Sequence, residues 1–548
     1  MRRFLFALTF SLSLCTVALP QHTNHNTRKD AKDQPATHVP GMGSHHHAVS
    51  TTNVEAQEFF DQGLRFVFAF NHEEAIRSFK RAAELDPQLA MAHWGIALAL
   101  GPNINLDVDP EGEKAAYEAI QKALSLTAGA SENERAYVDA LAKRYSNDPN
   151  ADLKRLAVDY KNAMGDLVKR YPDDLDAATL FAEAAMNLRP WKFWTADGKP
   201  AEGTEEIVAT LESVLRRDPN HIGAIHYYIH AVEASPNPER ALAYAPKLPL
   251  LTPAAGHLVH MPAHIYERTG DYEAAALSNK DAARADEAYM KARGAEGLYA
   301  MMYYAHNLHF LAIADSMSGR FADAQVAARR LEAYVAPFVK GMPMLEGFMT
   351  VSPLLLVRFH RWDEIERLPA PDKSLVGATA IWHFARGMAF DAKGRPKEAD
   401  AELVALSAAH QLLPADASFG LNSASHVLQI AHNVLAARLA QRINRRQAII
   451  FLRDAVELED SLAYDEPQAW FLPVRETLGA ALLQNGDYAG AEQVFRADLE
   501  RNRRNGRSLF GLMEALKAEK KDHEAMLVKQ QFDVAWKNAD TKLTLDLL

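Results

Sequence analysis

Residues 55–87 read EAQEFFDQGLRFVFAFNHEEAIRSFKRAAELDP, and their reading decides the fold. Phe59, Gly63, Phe66, Ala75, Phe79, Ala82 and Pro87 alternate large, small, aromatic and helix-stopping residues at helical spacing. Such a pattern describes two helices folded back on each other. Gly63 and Ala75 let the two backbones approach, and the aromatics fill the gaps between this hairpin and the next.

Weaker copies follow along the chain. GRPKEADAEL carries Ala399, with Gly387 and Phe390 upstream, and NGDYAGAEQVF carries Ala491 and Phe495, with Gly479 and Leu482 upstream. TGDYEAAALSN, SGRFADAQVAA and PNPERALAYA supply Ala275, Ala324 and Ala241. With these residues the chain resembles the tetratricopeptide repeat superfamily from about residue 54 to near its end, a repeat of about 34 residues. The resemblance implies an all-α solenoid of antiparallel helix hairpins, a superhelix with a concave groove. It implies no single function, because many unrelated activities use this scaffold. The strings YIHAVEAS, GHLVHMPAHIY, FNHEEAIRSFKRAAELDP and WGIALALGPN are similar to those of a group of exported bacterial tetratricopeptide proteins. That likeness implies a fold and a compartment, and no reaction.

The rest of the sequence agrees with a solenoid. Its 548 residues show apolar periodicity near 3.6 and few alternating, strand-like runs. A repeat array grows one hairpin at a time without one large core, so this length does not require several domains. Two stretches break the period: GPNINLDVDPEGE over 101–113, and the aromatic insertion over 187–203 with Trp191, Phe193 and Trp194. Insertions of this kind form loops on one face, and either help to bind or pack over a hairpin end.

Residues 1–18 have Arg2 and Arg3, an apolar run and small residues ending at Ala18. They read as a signal peptide, too short to remain as a membrane span. An exported, periplasmic or secreted bacterial protein is expected. Cys15 is the only cysteine and lies inside that segment, so the mature chain offers no thiolate to a metal. Residues 19–53 are polar and without helical period, which predicts a disordered, His-rich arm. Its His45, His46 and His47 either chelate a metal weakly or fold back over the groove. The solenoid is expected over 54–548.

A net charge of −11 and the lack of a basic stripe interleaved with aromatics argue against nucleic acid. The basic run over 501–507 is expected on a solvated face at a helix end. No glycine-rich phosphate loop, serine elbow or cysteine nucleophile is evident.

The chemistry sits in histidines. His226, His230 and Glu233 lie on one helix, His257, His260 and His264 on the next, and His306 and His309 on a third. Four-residue spacings put His226 with His230, and His260 with His264, on one helix face. Aligned to the repeat, these residues fall at the second, fifth and ninth positions of first helices, which line the inner groove. Three helices then aim imidazoles into one concavity, and their number exceeds one tetrahedral site. A dinuclear site, or one site with histidine partners behind it, fits the count. Zinc, copper or non-haem iron suits an all-nitrogen set with a carboxylate. Met261, Met301 and Met302 are near in sequence and read chiefly as packing residues. Tyr227, Tyr228, Tyr303 and Tyr304 are candidate hydrogen-bonding neighbours, and Glu233 is a candidate ligand or general base. His93, His383 and His432 fall at interface positions and read as core histidines. His72, His410 and His523 lie near helix ends or on exposed faces.

Two classes follow. One is an exported scaffold that binds a protein or peptide in its groove and carries a metal. The other is a metal-dependent enzyme, hydrolytic or oxidative, acting on a small molecule in the same groove. Base rates for the fold favour the scaffold.

Overall fold

A computed structural model describes residues 36–293, 297 and 299–548. The expected signal peptide and the first part of the arm lie outside the described residues. The chain is all-helical, built from successive helix hairpins. Helix α1 (Val54–Phe68) packs on α2 (His72–Leu85), and α3 (Ala90–Leu100) on α4 (Pro110–Ser125) and α5 (Glu132–Leu141). Next come α6 (Leu153–Arg170) with α7 (Leu175–Met186), and α8 (Thr204–Arg217) with α9 (Ile222–Val232). Starts are set by side chains that accept orphan backbone N–H groups: Asn53 for α1, Asn71 for α2, Asp174 for α7, and Ser131 with Glu134 as a capping box for α5.

The middle departs from the repeat. Here α10 (Leu248–Leu251), α11 (Gly256–His260) and α12 (Pro262–Thr269) are short, and α13 (Tyr272–Arg293) is long. Pro262 has no N–H to give, so the helix carrying the second histidine group is split at Met261. A π-helical turn, Ala300–Tyr304, then leads into α14 (Ala305–Met317), which pairs with α15 (Phe321–Val335). Regular pairing resumes after α16 (Val351–Arg358) and α17 (Trp362–Arg367). The pairs are α18 (Val376–Ala392) with α19 (Pro396–Gln411), α20 (Ala424–Ala440) with α21 (Arg445–Ser461), α22 (Val474–Gln484) with α23 (Tyr488–Arg501), and α24 (Gly506–Ala518) with α25 (Asp522–Ala535). Among the described residues the only sheet is a two-residue ladder pairing Ser418–Phe419 with Asn422–Ser423. None of their helices is long and apolar enough to cross a membrane.

The hairpin logic is visible at Phe79. Its ring is wholly buried between Gly63 and Gly95, where an added Cβ would sit 2.6 and 2.5 Å from ring carbons. Phe495 repeats the arrangement between Gly479 and Gly511. Each such ring stabilises the stack by roughly 1.5–3 kcal/mol of burial, available only because glycine leaves the space.

The helix faces that carry the histidines are buried rather than open. The chain folds back on its own middle: Tyr289 hydroxyl donates to Glu74 at 3.1 Å, Asn105 to Tyr303 at 3.1 Å, and Arg503 pairs with Glu239 at 3.0 Å. Glu466, between α21 and α22, reaches His264. These closures bury what a concave groove would expose.

Three expectations are corrected here. Residues 36–53 are held against the helices rather than forming a disordered arm. His45 and His47 donate to Asp176 at 2.9 and 2.8 Å, His46 to Asp61 at 2.7 Å, and Met42 is buried. One buried carboxylate on α7 accepting two imidazoles supplies the anchoring that composition could not reveal. The basic run is a solvated face only in part, since Arg501 and Arg504 are exposed. Arg507 is buried against Glu476 at 2.7 Å, and Arg501 pairs with Asp460 at 3.0 Å. His383, expected in the core, is half-buried and donates to Glu402 at 2.5 Å.

Candidate metal centre

Helix α9, IGAIHYYIHAV, is buried on every side, as expected for a helix that is apolar all round. It therefore takes His226 and His230 into the interior. On α11 and α12, His257, His260 and His264 are buried as well, while His306 on α14 is half-buried.

These six imidazoles form two groups of three. In the first, His226 Nε2 lies 3.1 Å from His230 Nε2 and 3.0 Å from His257 Nε2. In the second, His260 Nε2 lies 2.8 Å from His264 Nε2 and 3.2 Å from His306 Nε2. Three nitrogens on one ion, bonded at about 2.0–2.1 Å, stand about 2.8–3.4 Å apart for angles between octahedral and tetrahedral. The observed spacings match that range closely.

The opposite ring atoms fix the protonation. His226 Nδ1 faces the carbonyl oxygen of Phe68 at 2.7 Å, which can only accept. His260 Nδ1 faces Asn279 Oδ1 at 2.7 Å, and the Asn279 amide nitrogen donates to the Ala275 carbonyl, which fixes the amide's orientation. His230 Nδ1 donates to Glu233 Oε1 at 2.8 Å. His264 Nδ1 lies 2.5 Å from Glu233 Oε2 and 3.0 Å from Glu466 Oε2. With the proton on Nδ1, each neutral ring presents a bare Nε2 lone pair. Lone pairs packed this closely repel unless a cation sits among them. His257 Nδ1 is buried without a hydrogen-bond partner, so that ring is free to present either nitrogen.

Electrostatics follow from burial. His226, His257, His260 and His306 are held well below the ordinary imidazole range, first by desolvation and then by their imidazole neighbours. They are neutral, as a metal ligand must be. For Glu233, burial acts upward but His264 and His230 outweigh it, so its pKa falls to about 2. For His264, burial acts downward but Glu233 and Glu466 outweigh it, raising the pKa to about 10. Without a metal, the second group therefore holds one proton where an ion would sit.

The two groups abut. Across them, ring centroids lie 5.5 Å apart for His230 and His264 and 5.8 Å for His257 and His260. Within them the spacing is 4.7–6.1 Å. Glu233 spans both groups, one oxygen to each.

The structure thus gathers most of the expected residues and rearranges them. His257 joins the α9 pair instead of sharing a site with His260 and His264, because the break at Met261–Pro262 divides that helix. His309 does not join. Three residues beyond His306, it is rotated off the facing line and packs on Phe348 at 5.3 Å, while Phe310 takes the fourth position and lies 5.1 Å from both His260 and His264. Glu233 caps the end of α9 and contacts Nδ1 atoms, so it braces two ligands from behind. Met261 is core and Met302 packs with a separate apolar cluster. Of the four tyrosines, Tyr303 lies 4.6 Å from His257 and Tyr227 5.2 Å from His226. Tyr228 and Tyr304 donate to Glu212 and Glu287, and Tyr227 is buried beside Phe70. The aromatic insertion packs over the end of α9: Trp191 lies 5.3 Å from His230 and Trp194 donates to the Ala231 carbonyl at 2.8 Å. Sequence reasoning missed Glu466 and Asn279. Glu466 is 202 residues from the ring it contacts, and no local spacing could have found it.

The arm forms another histidine cluster of opposite polarity. His45, His47 and His221 surround Asp176 at 2.9, 2.8 and 3.1 Å, beside a cavity of about 650 Å³. His221 Nδ1 accepts the Ala224 N–H, so its Nε2 carries the proton and points it at Asp176. Imidazole N–H groups here converge on a carboxylate. This is a clasp, whereas the interior groups converge lone pairs.

No family model matches the chain, and no curated protein matches it. Among solved structures, human IFIT1 with m7Gppp-AAAA is similar at 12% identity over 90% of this chain and 91% of that one, with a TM-score of 0.32. Yeast Tom70 is similar at 12% identity over 89% and 99%, TM-score 0.31. The TPR domain of P58(IPK) is similar at 12% over 86% and 100%, TM-score 0.23. Superposition this loose carries no argument about function.

Proposed function

We propose that this protein is a metalloprotein whose helical-repeat scaffold encloses a paired three-histidine metal centre, and that the centre acts on a small molecule. One observation carries the reading. Four imidazoles have their Nδ1 protons committed to oxygen acceptors, and their Nε2 atoms converge in two groups at 2.8–3.2 Å. A structural histidine is satisfied by one donor and one acceptor. In the first group these rings have the donor role filled and the acceptor role aimed at another acceptor, and in the second the extra proton on His264 takes the place an ion would fill.

A peptide cannot touch the centre, because five of the six rings are buried. That favours the enzyme-like alternative over a peptide clamp built from the histidines. Protein binding by other faces of the solenoid is a separate matter. Imidazole ligands suit copper, zinc or iron, and three imidazoles with no carboxylate oxygen among the converging atoms fit copper or zinc. The expected leader places the protein outside the cytoplasm, where it meets metal during or after export.

The test is metal analysis of the untagged mature protein purified from its exported fraction. About two ions per chain are expected for a pair of three-nitrogen sites. A metal-free protein that also binds no added zinc or copper would overturn the reading.

A further inference from the structure

We infer that the paired centre is a dioxygen site: two cuprous ions, one in each histidine group, with molecular oxygen as the small molecule they take. The inference deepens the paired-metal reading and rests on it. It stands on the side chains that surround the two groups, on their charge, and on the adjacency of the two groups.

The walls specify the ligand by what they do not offer. The first group is covered by Phe70, whose ring lies 4.5 Å from His226 and 5.5 Å from His257. The second is covered by Phe310, 5.1 Å from His260 and His264 and 5.7 Å from His306. Trp191 and Tyr303 close the sides. The Nδ1 protons of His226, His230, His260 and His264 are already committed to oxygen. Among the described residues no lysine or arginine contacts these rings, and Arg268 stands behind Glu466 at 3.8 Å, so no free cation faces a carboxylate or phosphate. Half-buried Trp191, Tyr303 and His306 mark the thin side of the wall. A neutral, apolar molecule of very few atoms meets these conditions.

Charge selects the ions. The carboxylates that touch the imidazoles are Glu233 and Glu466, and Arg268 lies 3.8 Å from Glu466, so at most two positive charges are neutralised here and ions of low charge are favoured. Two cuprous ions bring the smallest charge a metal pair can. Two divalent ions would leave an excess buried among aromatic rings, which is costly. Dioxygen then fits the same balance. Each cuprous ion gives one electron, the O–O bond falls from double to single order, and both ions become cupric. The four positive charges that result face two on the peroxide formed, so the net charge of the centre is unchanged. No proton moves and no other reactant is needed, and the reverse transfer releases oxygen. Supplying two electrons at once requires both ions within reach of one molecule. Ring spacings of 5.5 and 5.8 Å across the groups, inside the range found within them, set the two groups side by side as that requires.

The experiment uses the whole mature chain. Metal is removed, cuprous ion is added under argon, and copper per chain is measured before oxygen is admitted. Expected are about two copper ions per chain, uptake of one oxygen molecule per copper pair, and a cupric signal far below the copper content in electron paramagnetic resonance, because paired spins couple. His306→Gln, at the half-buried ligand, and His230→Ala should each retain helix by circular dichroism. Each should bind about half the copper, lose oxygen uptake, and show the full signal of an isolated cupric ion after chemical oxidation. Two coppers bound with no oxygen uptake would overturn the dioxygen inference and leave the metal pair standing. One copper or none in the wild-type chain would overturn both.

Discussion

His260 and His264 turn their Nε2 atoms to within 2.8 Å of each other while both Nδ1 atoms face oxygen, Asn279 for one and Glu233 with Glu466 for the other. Two imidazoles that only needed a hydrogen bond would share one proton between them and leave their outer nitrogens to water. Holding both outer protons outward leaves the inner space to a cation. The same relationship recurs between His226 and His230, so the arrangement is built twice.

Glu233→Gln should weaken metal binding without unfolding the chain. The carboxylate accepts from His230 with one oxygen and forms an ion-pair contact with His264 through the other. Glutamine keeps one acceptor and turns a donor toward the second ring. Loss of about 10–100-fold in metal affinity is expected, the usual size for a partner behind a ligand. Competition titration against a chelator of known affinity measures it. Unchanged affinity would remove Glu233 from the centre.

His383→Ala separates metal histidines from structural ones. His383 is half-buried and donates to Glu402. Its removal should cost about 1–2 kcal/mol in urea unfolding and leave metal content unchanged. His309→Ala should likewise keep the metal, since His309 packs on Phe348. Metal loss in either variant would show the groups to be assigned wrongly.

Gly63→Ala should destabilise the first hairpins. The added methyl would meet Phe79 at 2.6 Å, and that ring is also pinned by Gly95. Overpacking of this kind costs about 1–3 kcal/mol, readable as a shift in the denaturation midpoint. Metal stoichiometry should not change, because Gly63 and the histidines share no contact.

Docking of residues 36–53 should depend on pH. The hydrogen bonds of His221, His45 and His47 hold Asp176 well below the usual carboxylate range despite its burial, so its contribution is present above about pH 4 and is lost as pH falls through that lowered value. Burial pulls His47 down, but Asp176 raises it above the ordinary value overall. Its contribution is therefore complete below about pH 6.5 and fades as pH rises through the raised value. Protection of the arm's amides from hydrogen exchange should peak between these limits. Asp176→Asn should flatten that profile. Protection that rises steadily to pH 9 would contradict the clasp.

The sequence by itself determined the helix-hairpin architecture, because Gly63, Ala75 and Phe79 carry their packing reason in local spacing. It also determined which side of each helix bears histidine, because residues four apart share a face whatever surrounds them. It could not determine how the histidines are partitioned. That was decided by the helix break at Pro262, which sends His257 to one group and His260 with His264 to the other, and by the rotation that gives Phe310 the place His309 does not reach. Nor could it place Glu466 behind His264, or show that the helix faces carrying the histidines are buried. Those facts depend on contacts between residues hundreds of positions apart. A local pattern fixes direction along one helix. Only the packing of several helices fixes which directions meet and whether water remains between them.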